Sequence, residues 1–139
     1  FDLRRLRRET RHWIPLPNWR LPTPMAYRRG GIYLANFNPS RGTEPGKIRP
    51  CLVIQSNLLN DVGHPSTSVL PLTTQLIDDA EPLRVRIASR DGLEHDSDVM
   101  LDQLRTIDNR RINPDMLTLL GEQEMGRVVL FLRIILGLE

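Results

Sequence analysis

Cysteine is almost missing from this 139-residue chain. Cys51 stands alone, so no internal disulfide can form and no cysteine-based metal cluster is available. Its neighbours are apolar, which makes it a buried, inert thiol rather than a nucleophile. That usage suits a reducing, cytoplasmic compartment. Aromatic residues amount to only 5%, so leucine, isoleucine and valine must fill the core. No run reaches the roughly 18 apolar residues that a membrane span requires, and no membrane partner is expected. The length fits one domain able to bury a real core.

Basic charge is scarce where it would matter for coating nucleic acid. The formal net charge is +2, but residues 1–24 carry six arginines against Asp2 and Glu9, a net of +4. The remaining 25–139 hold thirteen basic and fifteen acidic side chains, a net of −2. An anion site in the folded part must therefore be a local cluster. The 1–24 segment divides into a short basic stretch and a tract with Pro15, Pro17, Pro22 and Pro24, which forbids regular structure. It reads as an extension ahead of a domain at 25–139, in preference to an arm that binds RNA or a partner.

What is present from Gly31 onward is strand chemistry. "GIYLANF" mixes β-branched, aromatic and aliphatic residues and ends at a turn, "NPSRG". "CLVIQ" predicts a central strand, "NLLND" a brief helix and "SVLPLTTQ" a third strand. "LRVRI" alternates as a half-exposed strand should, and "DVMLDQLRTI" leads into a fifth and sixth. Near the C-terminus the period changes. Met125, Val128, Val129, Leu132, Ile135 and Leu136 fall on one helical face, while Leu130, Phe131 and Ile134 make the opposite face apolar too. Such a helix needs cover on two sides, which predicts a homodimer or a partner groove. Short strands with one terminal helix suggest a small, strongly bent sheet or barrel.

Catalytic groups narrow by elimination. His12, His64 and His95 are dispersed, and nothing pairs two of them at one phosphate, so each reads as solvent-exposed. No His, Asp or Glu pair has metal-ligand spacing on a credible helix, so no metal and no cofactor is expected. Asp78, Asp79 and Glu81 read as a solvated turn. Arg49 remains, at the mouth of a strand behind the "GTEPGK" loop. Pro50 restricts it to an extended backbone, and its planar fork of donors suits phosphate. Thr73 ends an apolar strand, where a hydroxyl would face the core or a cleft. Judged by spacing alone, a surface bridge from Arg49 to Glu44 or Asp102, with Thr73 as an ordinary strand residue, is the simpler reading.

Four segments in order change that balance. "RRGGIYLANFNPSRGTEPGKIRPCLVIQ", "VLPLTTQ", "DSDVMLDQLRTIDNRRI" and "EQEMGRVVLFLRIILGL" resemble the MazF/PemK family of toxin endoribonucleases, from about Arg28 to Leu138. The resemblance implies an SH3-like (CcdB/PemK-type) β-barrel with a C-terminal α-helix, mainly β. It implies a homodimer, cofactor-free and sequence-selective cleavage of single-stranded RNA, and neutralisation by a cognate antitoxin. Residue by residue, Arg49 maps to the family's catalytic arginine, Thr73 to its threonine partner and Glu44 to a loop acid tied to activity. Arg41 and Lys47 join Arg49 as an RNA-binding cluster. Asn57, Thr74 and Gln75 could read base edges or serve as structural hydrogen-bond groups. Asp102 and Arg105 read as a structural pair. Gly31 and Gly121 depart from common family residues, the latter losing a helix-capping side chain. The implied chemistry is attack of the ribose 2′-oxygen on phosphorus, giving a 2′,3′-cyclic phosphate and a 5′-hydroxyl. The same barrel also serves CcdB-like gyrase-inhibiting toxins, and a catalytically silent, antitoxin-binding member is the further alternative.

Overall fold

The computed structural model describes residues 27–44 and 46–139. The expectations placed on residues 1–24, including His12, lie outside them. Seven strands run β1 (Gly31–Asn36), β2 (Ile48–Val53), β3 (Ser66–Thr73), β4 (Arg84–Ile87), β5 (Ser97–Met100), β6 (Arg105–Asp108) and β7 (Ile112–Leu119). Two helices complete the set, α1 (Asn57–Asp61) and α2 (Glu122–Leu136). Every ladder is antiparallel, in the order β4-β5-β3-β2-β1-β7, with β6 pairing the first half of β3. The ladder is open at β4 and β7. Gly92, just beyond β4, nevertheless donates its N–H to the Leu117 carbonyl of β7 at 2.9 Å, drawing the two ends together in the manner of a barrel.

Alternation along the central strands builds two cores. Leu52 of β2 and Leu70 and Leu72 of β3 point to one face, where they meet Ile32, Ile87 and Val99. Cys51 and Val53 of β2 and Val69 of β3 point to the other, among Tyr33, Phe37 and Ile107. α2 covers the first core with Val128, Met125, Phe131, Leu132 and Ile135. Here the helical-face expectation needs correction. Phe131 packs inward with the core stripe, and Leu136 turns outward, 47% exposed. Leu130 and Ile134 remain outside at 54% and 56%.

The start of α2 compensates for its missing cap. Gly121 offers no side chain, but Glu124 accepts the Gly121 N–H at 3.0 Å, and Arg90 grips both Glu124 oxygens at 2.7 Å. β7 was not expected from the sequence. It carries Asn113, Pro114 and Asp115 in its first half, and it stands at the sheet edge, where a proline's missing N–H costs no ladder bond.

Three further expectations are revised. Arg105 does not pair with Asp102. Its Nη1 lies 3.9 Å from Glu44 Oε2, and its guanidinium sits over the Phe37 ring, 5.4 Å from the centroid. His64 is only half-exposed, with Nδ1 withdrawn from solvent. The acidic turn is exposed but not merely solvated, since Asp78 pairs with Arg86 and Glu81 with Arg127.

Candidate active site

The second core does not close at one end. Continuing its alternation beyond Cys51 brings Arg49 to that face, and continuing beyond Val69 and Pro71 brings Thr73. Both line a groove of about 410 Å³ at the strand ends. Its polar lining is Lys47, Arg49, Thr73, Thr74, Gln75, Arg84 and Ser97; Ile48, Pro50 and Met100 supply apolar surface, and Leu72, whose side chain lies in the first core, borders it through its backbone. Among the described residues that lining has three cations and no carboxylate.

Arg49 is half-buried and anchored from both sides. Its Nε donates to the Gly46 carbonyl at 2.8 Å and its Nη1 to the Leu72 carbonyl at 3.2 Å. Neither Glu44 nor Asp102 is its partner, and among the described residues no carboxylate pairs with it. Burial pulls the guanidinium below its ordinary pKa, yet an arginine so far above neutrality stays charged at any physiological pH. It is therefore a fixed positive charge with donors to spare.

The loop before it is built for this. A Cβ on Gly46 would come within 2.8 Å of Ser40 Cβ, so only glycine lets the two arms of the loop approach. Lys47 adopts a left-handed backbone, φ 70°, held by Asn38 Oδ1, which accepts its N–H at 2.8 Å, and by Phe37, which donates to its carbonyl at 2.9 Å. Such a backbone costs on the order of 1 kcal/mol and persists only where its surroundings enforce it.

Thr73 Oγ1 accepts the Gln75 N–H at 3.1 Å. That bond uses a lone pair, and the hydroxyl hydrogen remains available to a ligand. The structure thus brings Lys47, Arg49, Thr73, Thr74 and Gln75 together. It does not bring the other three in. Arg41 is exposed outside the lining. Glu44 faces Arg105. Asn57 lies beyond the opposite end of β2, where its Oδ1 accepts the Arg29 N–H at 2.8 Å and Asn60 Nδ2 at 3.1 Å, a local structural use. Sequence reasoning missed Arg84. The signal was the two-residue period of "LRVRI", which puts Arg84 and Arg86 on one face.

A cation fixed beside a hydroxyl, in an acid-free groove, is equipped to bind a phosphate and to stabilise charge that grows on its oxygens. The chain is also similar to known proteins. Residues 28–136 match the family described as PemK-like, MazF-like toxin of type II toxin-antitoxin system. The chain is 40% identical over 118 residues to endoribonuclease EndoA of Bacillus subtilis, covering 82% of this chain and 97% of that one. Among solved structures, MazF (Form-I) of Deinococcus radiodurans superposes with a TM-score of 0.68 at 25% identity, covering 81% of this chain and 98% of that one. A MazE–MazF structure (Form-II) from the same organism gives 0.64 at 25% identity, covering 82% and 98%.

Proposed function

The chain belongs to the PemK-like, MazF-like toxins of type II toxin–antitoxin systems, and we propose that its groove cleaves single-stranded RNA at selected sequences. The observation that carries this reading is Arg49, anchored by two carbonyls and unpaired with any described carboxylate, in the same groove as the Thr73 hydroxyl. The ribose 2′-oxygen attacks the adjacent phosphorus, the P–O5′ bond breaks, and the products are a 2′,3′-cyclic phosphate and a 5′-hydroxyl. Arg49 neutralises charge building on the non-bridging oxygens, and Thr73 donates to one of them. No metal takes part in these steps. The 2′ proton passes to solvent water, and water returns a proton to the departing 5′-oxygen; Glu44 stands outside the groove lining, 3.9 Å from Arg105. Lys47 adds charge for the RNA backbone, while Thr74 and Gln75 face the bases.

Two partners follow from the same membership. A MazE-type antitoxin neutralises the enzyme, a reading supported by the likeness to the MazE–MazF structure of Deinococcus radiodurans. A second copy of the chain covers the apolar surface left open by Leu130 and Ile134 of α2 and by Leu34, Met116 and Leu119 of the β1–β7 edge. The toxin domain is 25–139, and its place of work is the cytoplasm, where RNA is. Among the described residues no helix is long and apolar enough to cross a membrane.

The test is incubation of purified protein with a long single-stranded RNA, with DNA of the same sequence and with EDTA. The RNA should be cut at a short recurrent sequence to leave cyclic-phosphate ends, with EDTA making no difference. The DNA should survive, because it lacks the nucleophile. Cleavage undiminished in Arg49→Ala would refute the assignment.

A further inference from the structure

Arg84 opens β4 inside a wall shared by two hollows. One is the groove of Arg49 and Thr73. The other, about 360 Å³, lies under the acidic turn and is lined by Asp78, Glu81, Arg86, Asp98 and Arg127 as well as Arg84. Ladder register explains why Arg84 reaches both. Asp98 of β5 sits opposite Thr73 of β3 and opposite Arg86 of β4, and Met100 sits opposite Arg84. Directly paired residues share a face, as do residues two apart. Arg84, Arg86, Asp98 and Thr73 therefore all project to the face that carries Arg49.

Asp98 is the hub of this cluster and is 1% exposed. A carboxylate that deep is tolerable only with full partnership. Its Oδ1 accepts Arg86 Nε at 3.0 Å, its Oδ2 accepts the Ile77 N–H at 2.9 Å, and Arg84 Nη1 lies 3.5 Å from Oδ2. Arg84 Nη1 also donates to the Gln75 carbonyl at 3.2 Å. The three arginines of the wall are engaged unequally. Arg86 is shared between Asp98 and Asp78, and Arg127 is taken by Glu81. Among the described residues Arg84 makes its hydrogen bonds through Nη1 alone, which leaves Nε and Nη2 for a ligand. Its carboxylate neighbour stands behind the wall, while the groove in front holds Lys47 and Arg49 and no acid.

We propose that Arg84 binds a backbone phosphate of the RNA next to the one gripped by Arg49, and that Asp98 is the residue that positions it. The proposal rests on the RNA-cleaving reading of the groove and adds to it a contact residue and its support. A guanidinium steadied at one nitrogen keeps its planar fork aimed, and the fork matches phosphate oxygens. Asp98 also holds the Ile77 N–H, so it fixes the chain that follows Thr74 and Gln75. It acts through Arg84 and that turn, and it does not touch substrate.

The experiment measures cleavage kinetics on a single-stranded RNA, and binding to an all-deoxyribose oligonucleotide of the same sequence, which cannot be cut. Arg84→Gln should raise KM about tenfold, the size of one charge-assisted hydrogen bond, with the loss in KM rather than kcat and the cut sequence unchanged. The slope of log affinity against log salt should shrink by about 0.7, one phosphate's share for a single strand. Arg84→Lys should restore the slope. Asp98→Asn should raise KM in the wild-type background and raise it clearly less in the Arg84→Gln background, where only the turn held through the Ile77 N–H is left to loosen. Should Arg84→Gln not fold, Arg84→Met keeps the aliphatic stem and carries the same readouts.

An unchanged KM and salt slope in Arg84→Gln, or an altered cut sequence that marks base reading, would overturn the phosphate role. Equal Asp98→Asn effects in both backgrounds would overturn the positioning role. Wild-type protein that cleaves while these variants behave like it refutes this inference alone. Wild-type protein that neither binds nor cleaves refutes the RNA reading beneath it.

Discussion

Arg49 is tied through Nη1 to the Leu72 carbonyl, 3.2 Å away, which fastens the cation of β2 to the residue immediately before the Thr73 hydroxyl of β3. The two groups that would face a phosphate are thus set by one inter-strand bond. A lysine at 49 would keep the charge but could not hold both the Gly46 and Leu72 carbonyls while presenting a fork to the ligand.

Arg49→Ala should therefore lower kcat by roughly 10²–10³, the usual loss on removing one preorganised donor. Arg49→Lys should recover only a small part of that loss. Thr73→Ser, which keeps the hydroxyl, should stay within about tenfold of wild type, and Thr73→Val should fall with Arg49→Ala. Single-turnover cleavage of a labelled RNA checks all four.

Acid should weaken the fold partly through Glu124. Hydrogen bonds from Arg90 hold its carboxyl below the ordinary value of 4.5, with the Gly121 N–H helping and burial opposing. A depressed native pKa means that the unfolded chain binds the extra proton first. The stabilisation is complete above the ordinary carboxylate range and fades as pH falls through the native value. The pair is about one-third exposed, so its worth is limited to about 0.5–1 kcal/mol. Glu124→Gln should lower the urea midpoint at neutral pH, and the gap to wild type should narrow as the pH falls below the ordinary carboxylate value.

Cys51 should resist alkylation. Burial among the second core's side chains pushes its thiol up to about 12, against a smaller opposing effect from its hydrogen bond with the Tyr33 backbone. The reactive thiolate is then almost absent at physiological pH. Iodoacetamide should label the native protein negligibly at about pH 8 and stoichiometrically in denaturant. Mass spectrometry reads the difference, and rapid native labelling would show that the second core opens.

Ile134→Glu should separate the two copies of a dimer without unfolding either one. Ile134 is 56% exposed on the outer side of α2, away from the first core, so its replacement opens no cavity. Sedimentation should show a dimer for wild type and a monomer for the variant. A wild-type monomer, or a variant that stays dimeric, would remove α2 from the interface.

Most of this fold was legible because its strands announce themselves by period. "CLVIQ" and "SVLPLTTQ" became β2 and β3, and the short "NLLND" helix formed where Ser56 accepts the Leu58 N–H at 3.1 Å. β7 was not legible, because Asn113, Pro114 and Asp115 interrupt any alternation, and only its edge position makes them tolerable. Arg49 and Thr73 could be singled out by the family's ordered segments, whereas spacing alone favoured a surface bridge. Arg84 was hidden for a different reason. Alternation says that it shares a face with Arg86, but only the register with β5 says which face. Asn57 failed as a groove residue because it stands beyond the far end of β2 from Arg49, where the Arg29 N–H occupies its Oδ1.

β3 carries Leu70 and Leu72 into one core and presents Val69, Pro71 and Thr73 to the other side. Sliding it one place along its neighbours would swap every occupant, pushing Thr73 into grease and Leu72 into the groove. Misalignment would thus be punished twice over, by wetting one interior and by crowding the other. The alcohol inherits its exact address from hydrocarbon on both sides, and so the surest way to blur this catalyst is to loosen a leucine that never meets the nucleic acid.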